Sequence, residues 1–457
     1  MKLRRLGLLF VVLAMVLAAC GGDTTDTTDT TTGPEPTEAP GTTGAPDTTQ
    51  APDTTEGDGT ALRWRTRPDN EEEAAVYAGI SDSLAAELGV DLQYEPGGTE
   101  TAGYQQTLLT ELAAGTAPDV FWLPGTDIAD FATRGVILDL RALADASDHN
   151  DDDFYPGPMF HLSFNPDSGN TGEVLWGLPR DVSTFALYMN VDLIQEAGVD
   201  DPRELAANGE WTWDKFVEVV DGIGALGGEV IGYGQSSWWG PYGFWINAAG
   251  GGFFNSDRTA CALDTPESVA GLSALADLYA TSSVVPWGED AEPTFRAGNV
   301  GLFQNGRWAT PGIRTVGFDF DVVKLPDGPA GPSNWLFWGA YVVNADTADP
   351  EAAWKLVAAL TTAEVQAQVA ESGANIPSRV SQEALDAFLT FTPPENNQAF
   401  LDGLSENPAA EGPLWAGSWP EFVSVMDAEV GAVVTGSKSV DDYATTICTL
   451  TEPAFAG

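Results

Sequence analysis

The chain has 457 residues and a formal net charge of −49 at pH 7, from 68 Asp and Glu residues against 19 Lys and Arg residues. Proteins bind nucleic acids and anionic lipids through Lys and Arg, so we expect no nucleic-acid partner for so acidic a chain. The two histidines, His149 and His161, lie in no catalytic or metal-binding motif. The sequence also has no Gly-rich phosphate loop and no His-Glu-x-x-His or Cys-x-x-Cys motif, so we predict no cofactor, no metal and no catalytic residue.

The first twenty residues have the pattern of an export signal. Three cations precede an apolar run over residues 6–17. That run is shorter than the roughly 20 residues that a membrane-spanning helix needs, and it has the length of the apolar part of a signal peptide. It ends in Leu-Ala-Ala-Cys-Gly, which resembles the bacterial lipobox, where the cysteine becomes lipidated. We therefore predict a signal peptide over residues 1–19 and a lipid anchor on Cys20. An ordinary signal peptide with an incidental cysteine is the alternative.

Residues 21–60 predict a disordered linker. They consist almost entirely of Thr, Asp, Gly, Pro, Ala and Glu, with no aromatic and no large aliphatic residue. Such a segment cannot bury enough apolar surface to offset the entropy of ordering the chain. We expect an extended tether that holds a folded domain away from the membrane. A glycosylated stalk is compatible with the same composition.

The first half of the folded part alternates strand-like and helix-like segments, which is typical of an α/β protein with parallel strands. About 400 residues remain after the linker, too many for one core, so we expect two lobes. In chain order the patterns predict strands over 61–65, 90–94, 119–122 and 136–138, and helices over 71–88, 104–114 and 128–133. Ligands of open α/β sheets lie beyond the carboxyl ends of the strands, which here are residues 66–70 and 123–127.

The second half continues with both kinds of element. The patterns predict strands over 185–190, 318–325 and 339–344, a helix over 191–198, a helix from an N-cap at Thr212 to residue 222, and helices that begin at Pro266 and Pro350. Glycine- and aromatic-rich loops are expected around 238–240 and 250–252.

Six sequence pieces, in this order, resemble the sugar-type (family 1) extracellular solute-binding proteins of ATP-binding-cassette importers. They are Pro-Asp-Val-Phe-Trp at 118–122, the segment 177–190 with the helix after it, Trp-Thr-Trp-Asp at 211–214, Phe-Arg-Ala-Gly-Asn-Val-Gly-Leu at 295–302, Gly-Arg-Trp at 306–308 and Ala-Asn-Ile-Pro-Ser-Arg at 374–379. The similarity covers nearly all of residues 61–440.

The resemblance implies an α/β, two-lobe periplasmic-binding-protein-like fold with discontinuous lobes and a hinge. Mapped by motif, lobe one takes residues 61–182 and 324–372, and lobe two takes 183–323 and 373–457. It implies capture of a sugar or oligosaccharide between the lobes, outside the cell, and delivery to a membrane permease without catalysis. An exported glycoside hydrolase and a binding protein for a non-sugar solute are the alternatives.

Two cysteines remain beside Cys20. In an exported protein an even remainder indicates a disulfide, so we predict that Cys261 and Cys448 are linked. Both fall in lobe two as mapped, where a disulfide would not obstruct lobe closure. A pair of free buried thiols is the alternative.

The predicted ligand-binding residues combine aromatic rings, which match the C–H faces of a sugar, with polar groups that match its hydroxyls. We select tryptophans expected in loops at strand ends and polar residues near predicted strand ends and hinge crossings. They are Trp122, Trp238, Trp239, Trp308 and Trp338, with Asp69, Asn70, Arg180, Asp181 and Arg379. About half of these tryptophans are expected to line the cleft, because core packing is the usual fate of Trp. A structural salt bridge is the alternative role for each arginine.

Overall fold

The computed structural model describes residues 61–68, 71–98, 101–373, 375–405, 408–410, 412 and 414–455, all within one compact unit, Asp58–Gly457. The predicted signal peptide, Cys20 and the predicted linker lie outside the described residues. So do Asp69 and Asn70.

The described residues contain eleven strands. They are β1 (Leu62–Thr66), β2 (Leu92–Pro96), β3 (Val120–Pro124), β4 (Leu178–Ser183), β5 (Phe185–Asn190), β6 (Ile231–Gln235), β7 (Val300–Gly306), β8 (Phe320–Val323), β9 (Asn334–Val343), β10 (Ile376–Pro377) and β11 (Pro408–Ala410).

Eighteen α-helices occur in the same residues. They are α1 (Glu71–Leu88), α2 (Thr101–Ala114), α3 (Ile128–Thr133), α4 (Arg141–Asp145), α5 (Pro156–Leu162), α6 (Val191–Ala197), α7 (Pro202–Ala207), α8 (Trp213–Gly224), α9 (Trp239–Ala248), α10 (Pro266–Thr281), α11 (Ala291–Arg296), α12 (Thr310–Ile313), α13 (Pro350–Leu360), α14 (Ala363–Ala370), α15 (Gln382–Leu389), α16 (Gln398–Ser405), α17 (Trp419–Val434) and α18 (Val440–Thr451). None of these helices combines the length and the apolar character that crossing a bilayer requires.

Several helices begin at side-chain caps that the sequence carries. Asn190 accepts a hydrogen bond from the Leu193 amide at the start of α6, and Thr265 and Asp349 do the same ahead of the prolines that open α10 and α13. Such caps satisfy backbone donors that the first helical turn leaves unpaired. Thr212 stands at the N-cap of α8, as predicted, but its side chain makes no capping hydrogen bond.

The first sheet belongs to lobe one and has the order β10-β4-β9-β3-β1-β2, with β11 paired to the start of β9. Strands β1, β2 and β3 are parallel, and β9 runs antiparallel to both β3 and β4. The carboxyl ends of β1, β3 and β4 therefore share one edge with the first half of β9. That edge faces the cavity described below.

The second sheet belongs to lobe two and has the order β6-β7-β5-β8. Strands β6 and β7 are parallel, whereas β5 runs antiparallel to β7 and β8. The carboxyl ends of β6 and β7 and the start of β5 lie at one edge. The two sheets thus present the expected α/β, two-lobe arrangement, with the loops after their strands available for a shared site.

Two segments beside the predicted lobe boundaries contact the lobe opposite to the one that the motifs assigned to them. Residues 324–333, assigned to lobe one, pack on lobe two, where the Trp211 indole donates to the Lys324 carbonyl at 2.9 Å and Asp327 pairs with Thr212. Strand β10, Ile376–Pro377, assigned to lobe two, pairs with β4 in the first sheet.

Three predicted elements differ from the structure. No strand forms over 136–138, where Ile137 alone pairs with Asn344. The predicted loop at 238–240 is instead the start of α9. Strand β9 begins at Asn334 rather than at 339, so that Trp338 lies inside a strand and not in a loop before one.

The predicted disulfide between Cys261 and Cys448 is present and joins the segment before α10 to α18, with the two Cα atoms 5.3 Å apart. Both cysteines pack against the hydrophobic core of lobe two. The cross-link therefore stays within one lobe, as the prediction required.

Candidate functional site

A cavity of about 580 Å³ lies where the facing edges of the two sheets meet. Seven of the predicted ligand-binding residues line it: Trp122, Arg180, Asp181, Trp238, Trp239, Trp308 and Trp338. Its lining also includes Arg67, Gln105, Thr126, Asp127, Ser183, Phe337, Asn375 and Trp419. The volume falls within the range of small-molecule binding sites.

The lobe-one side of the cavity is charged, and we call it the charged wall, defined by Arg67, Asp127, Arg180 and Asp181. The Arg180 guanidinium is buried, and its Nη1 donates to Thr66 Oγ1 at 3.0 Å and to the Arg67 carbonyl at 2.7 Å. Its Nε donates to Asp181 Oδ2 at 2.6 Å. Burial alone would lower the pKa of Arg180, but Asp181, Tyr77, Glu73 and Tyr341 together outweigh burial and raise that pKa well above its usual value.

A β-bulge in β4 sets the direction of the Arg180 and Asp181 side chains. The register between β4 and β9 shifts between Pro179 and Asp181, which leaves Arg180 as the extra residue on its strand. A bulge turns a side chain away from the regular alternation of a strand. Arg180 and Asp181 therefore both reach the cavity although they are neighbours in sequence.

Trp122 and Trp338 lie on the paired strands β3 and β9 and are almost fully buried, with 5% and 4% exposure. Each lies against a glycine of the other's strand or of the turn after it. A Cβ at Gly339 would come 2.1 Å from Trp122 Nε1, and one at Gly125 would come 2.4 Å from Trp338 Cε2. Only glycine permits so close an approach of ring to backbone.

The remaining surface of these two rings is also covered. The guanidinium carbons of Arg67 and Arg180 each lie 5.0 Å from the centre of the Trp122 ring, within cation–π distance. The Trp338 ring is stacked on His161 with 6.1 Å between ring centres. Burial lowers the pKa of His161 to about 3, so His161 is a neutral packing partner. Both tryptophans serve mainly as packing for the charged wall.

The lobe-two side of the cavity is aromatic, and we call it the aromatic wall, defined by Trp238, Trp239, Trp308, Phe337 and Trp419. Phe337, which β9 contributes, lies at its centre, with its ring centre 5.4 to 5.7 Å from those of Trp238, Trp239 and Trp308. Trp419 contacts the Trp239 ring edge-on at 5.2 Å. All four tryptophans are half-buried, so part of each ring faces the cavity.

Asp127 lies at the end of the charged wall, at the turn between β3 and α3. Its Oδ2 accepts a hydrogen bond from Gln105 Nε2 at 2.5 Å. Burial raises the pKa of this carboxyl to about 6. Asp127 lies within 123–127, the strand end marked in the sequence as a ligand edge, but that pattern did not single out the residue.

Arg379 does not line the cavity. Its Nη1 donates to Asp153 Oδ2 at 2.7 Å and its Nε to the Thr361 carbonyl at 2.6 Å, and its guanidinium lies over the Phe154 ring. Arg379 therefore has the alternative role, a structural salt bridge, and not the predicted ligand contact. Asn375, from the same motif, is the residue that reaches the cavity, and its Nδ2 donates to Glu73 Oε1 at 3.1 Å.

The cavity combines exposed ring faces on one side with hydrogen-bonding and charged groups on the other. This arrangement suits a polar molecule with flat apolar faces. Among the described residues, no three His, Cys, Asp or Glu side chains come together as a metal site would require.

A family profile described as bacterial extracellular solute-binding protein matches residues 80–390. The galactooligosaccharide-binding protein of Bacillus subtilis is 26% identical over 298 residues, which cover 62% of this chain and 66% of that protein. Two solved structures share the fold. One is an ABC substrate-binding protein of Listeria monocytogenes in complex with cycloalternan, with a TM-score of 0.75, 20% identity, and coverage of 86% of this chain and 99% of that one.

The other is UgpB of Mycobacterium tuberculosis in complex with glycerophosphocholine, with a TM-score of 0.72, 18% identity, and coverage of 86% of this chain and 98% of that one. These likenesses agree with the predicted two-lobe fold.

Proposed function

Because this chain belongs to the bacterial extracellular solute-binding proteins, we propose that it captures a sugar or oligosaccharide between its two lobes and delivers it to the permease of an ATP-binding-cassette importer. The observation that carries the proposal is the pairing of the aromatic wall with the charged wall across one cavity. No bond of the ligand is made or broken in this function.

The chemistry of a sugar fits the two walls separately. Its C–H faces are apolar and pack on aromatic rings, which Trp239, Trp308 and Trp419 offer. Its hydroxyl groups need donors and acceptors, and charged partners make the stronger hydrogen bonds. Asp127, Arg67 and Asn375 offer such groups on the opposite side of the cavity.

The relatives support a carbohydrate ligand by what they bind. The Bacillus subtilis protein is a galactooligosaccharide-binding protein, and the Listeria monocytogenes structure holds cycloalternan. The Mycobacterium tuberculosis structure holds glycerophosphocholine, a phosphodiester, on the same fold. The phosphate group of such a ligand needs an unneutralised cation, whereas the charge of Arg180 is already matched by Asp181. We therefore favour the sugar.

Binding would act through lobe closure. A ligand that touches both walls stabilises the arrangement in which the walls are close, and it shifts the open–closed equilibrium by its higher affinity for that arrangement. The permease would recognise the closed form.

We further propose that the protein is exported and held at the outer face of the cell membrane by a lipid on Cys20, with residues 21–60 as the tether. The lipobox-like sequence and the polar run after it support this. In the natural host, Cys20→Ser should release the protein from the membrane fraction. If the variant remained fully in the membrane fraction, Cys20 would not be the lipid anchor.

A ligand screen tests the proposed function. The full mature chain is heated with a panel of mono- and oligosaccharides, and with glycerophosphocholine and inorganic phosphate as phosphate-bearing alternatives. The reaction mixtures are analysed for cleaved sugars. We expect at least one saccharide to raise the melting temperature without being cleaved. A shift with the phosphate-bearing compounds alone would replace the sugar with a phosphate-bearing solute, and cleavage of a saccharide would make the protein a hydrolase.

A further inference from the structure

A second cavity of about 460 Å³ adjoins the main one. Five residues line both cavities: Gln105, Thr126, Asp127, Trp419 and Pro420. The two cavities therefore adjoin along a common border. Trp419 lies on the lobe-two side of that border and Asp127 on the lobe-one side.

The second cavity is bounded by both lobes. Helix α3 of lobe one contributes Asp130 and Thr133, and Arg134 follows directly after it. The segment that leads into α17 contributes Trp415 and Ser418 from the other side. The ligand would thus touch both lobes here as well as in the main cavity.

The lining repeats the chemistry of the main cavity. Arg134 Nε and Asp130 Oδ1 form an ion pair at 2.8 Å. Both side chains are exposed, so their hydrogen bonds to water can be replaced by hydrogen bonds to ligand hydroxyls. The half-buried Trp415 ring is held on Phe164, with ring centres 5.3 Å apart. A ring and an Arg–carboxylate pair that line one cavity offer an apolar face and several hydrogen-bonding positions, as a sugar unit requires.

We infer that the ligand is an oligosaccharide that continues from the main cavity into this second cavity, with at least one sugar unit in each and with Trp419 at the junction. The inference rests on the proposed function and names the size class of its ligand. Some residues, such as Trp415 and Arg134, line only the second cavity. These residues would then select oligosaccharides over monosaccharides.

Calorimetric titration of the mature chain tests this with two homologous series of one to four units, the α-1,4-linked glucose series and the β-1,4-linked galactose series. Three variants accompany the wild type: Trp415→Ala and Arg134→Ala in the second cavity, and Trp238→Ala in the main cavity. Trp287→Ala is the matched control, since Trp287 is also half-buried and lines neither cavity. Melting curves establish that each variant is folded.

We expect affinity in the series that binds to rise by about tenfold or more between a single unit and the longer members. Trp415→Ala and Arg134→Ala should remove most of that gain and leave the shortest binding member within about twofold of the wild type. Trp238→Ala should weaken every member, and Trp287→Ala none. Arg134→Ala is the decisive variant if Trp415→Ala does not fold, because the Arg134 side chain is exposed.

Two results would overturn the inference while leaving the proposed function in place. One is a monosaccharide that binds as tightly as its tetrasaccharide. The other is a set of second-cavity variants that bind the long members as the wild type does. Failure of both series and of the wider saccharide panel to bind would instead overturn the proposed function itself.

Discussion

The two walls of the cavity use tryptophan in opposite ways. On the side of the charged wall, the supporting residues Trp122 and Trp338 are 5% and 4% exposed and are covered by glycine backbone, arginine and histidine. In the aromatic wall, Trp238, Trp239 and Trp308 are half-buried and pack edge-on against one another or on Phe337. The same residue type therefore supports polar groups on one side and presents its own ring on the other.

This difference gives the two walls different expected responses to substitution. Removal of a covered ring leaves a void and destabilises the fold, whereas removal of a presented ring takes away ligand contact. Four variants follow in order of expected effect, and the two tryptophan variants test this contrast directly.

Loss of the disulfide should have the largest effect and should act on lobe two. The cross-link closes a loop of 187 residues, which in the chain-entropy model stabilises by about 5 kcal/mol. Chemical unfolding of the Cys261→Ser, Cys448→Ser double variant should show a loss of that order. The chain before Cys261 also carries Phe254, whose ring lies 6.1 Å from Trp419, so the aromatic wall should loosen with it. An unchanged free energy of unfolding would show that the cross-link is dispensable.

Trp338→Ala should lower the free energy of unfolding by about 3–5 kcal/mol, as truncation of a buried tryptophan does. Because the ring is covered by Gly125 and His161, this variant should bind ligand nearly normally wherever it remains folded. Trp338→Phe, which keeps an aromatic ring, is the control and should recover part of the loss. If Trp338→Ala kept its stability but lost affinity, Trp338 would contact the ligand, as predicted from the sequence.

Trp239→Ala should behave in the opposite way. The ring is half-buried and shares the cavity border, so its removal should weaken saccharide binding by about 1 kcal/mol, or roughly fivefold, with a smaller loss of stability than Trp338→Ala. Calorimetric titration beside a melting curve measures both quantities. A severe loss of stability with unchanged affinity in the folded fraction would make Trp239 a core residue.

Asp127→Asn should produce the smallest effect, visible as a change in pH dependence. Burial raises the pKa of Asp127 to about 6, above that of an unfolded Asp, so its ionisation opposes folding. The opposition is absent below about pH 4, where both states are protonated, and is complete above about pH 6. The variant should therefore match the wild type at low pH and be more stable than the wild type at neutral pH. Equal stability at pH 7 would contradict the raised pKa.

Much of the fold followed from local patterns. Helix α1 has the predicted bounds, and so do α3 and β5, because their apolar spacing and flanking residues act within a few turns of chain. Strand β9 begins at Asn334, five residues before the start predicted at Gly339. In the structure this glycine lies inside the strand because the Trp122 ring needs the space.

The site was harder to predict because it depends on contacts between distant parts of the chain. The sequence placed Trp122 and Trp308 at strand ends and Arg180 beside a hinge crossing, and all three line the cavity. Sequence could not show that Asp153 engages Arg379, which lies 226 residues away. It also could not show that Trp419 closes the cavity, since the helix start that carries it is brought to the cleft only by lobe packing.

A structure of the protein with a bound saccharide tests the central claim most directly. The account predicts the sugar between the two walls, with its C–H faces on Trp239, Trp308 or Trp419 and its hydroxyls hydrogen-bonded to side chains of the charged wall such as Asp127. A sugar stacked instead on Trp122 or Trp338, or bound away from this cavity, would contradict the division of roles between the walls.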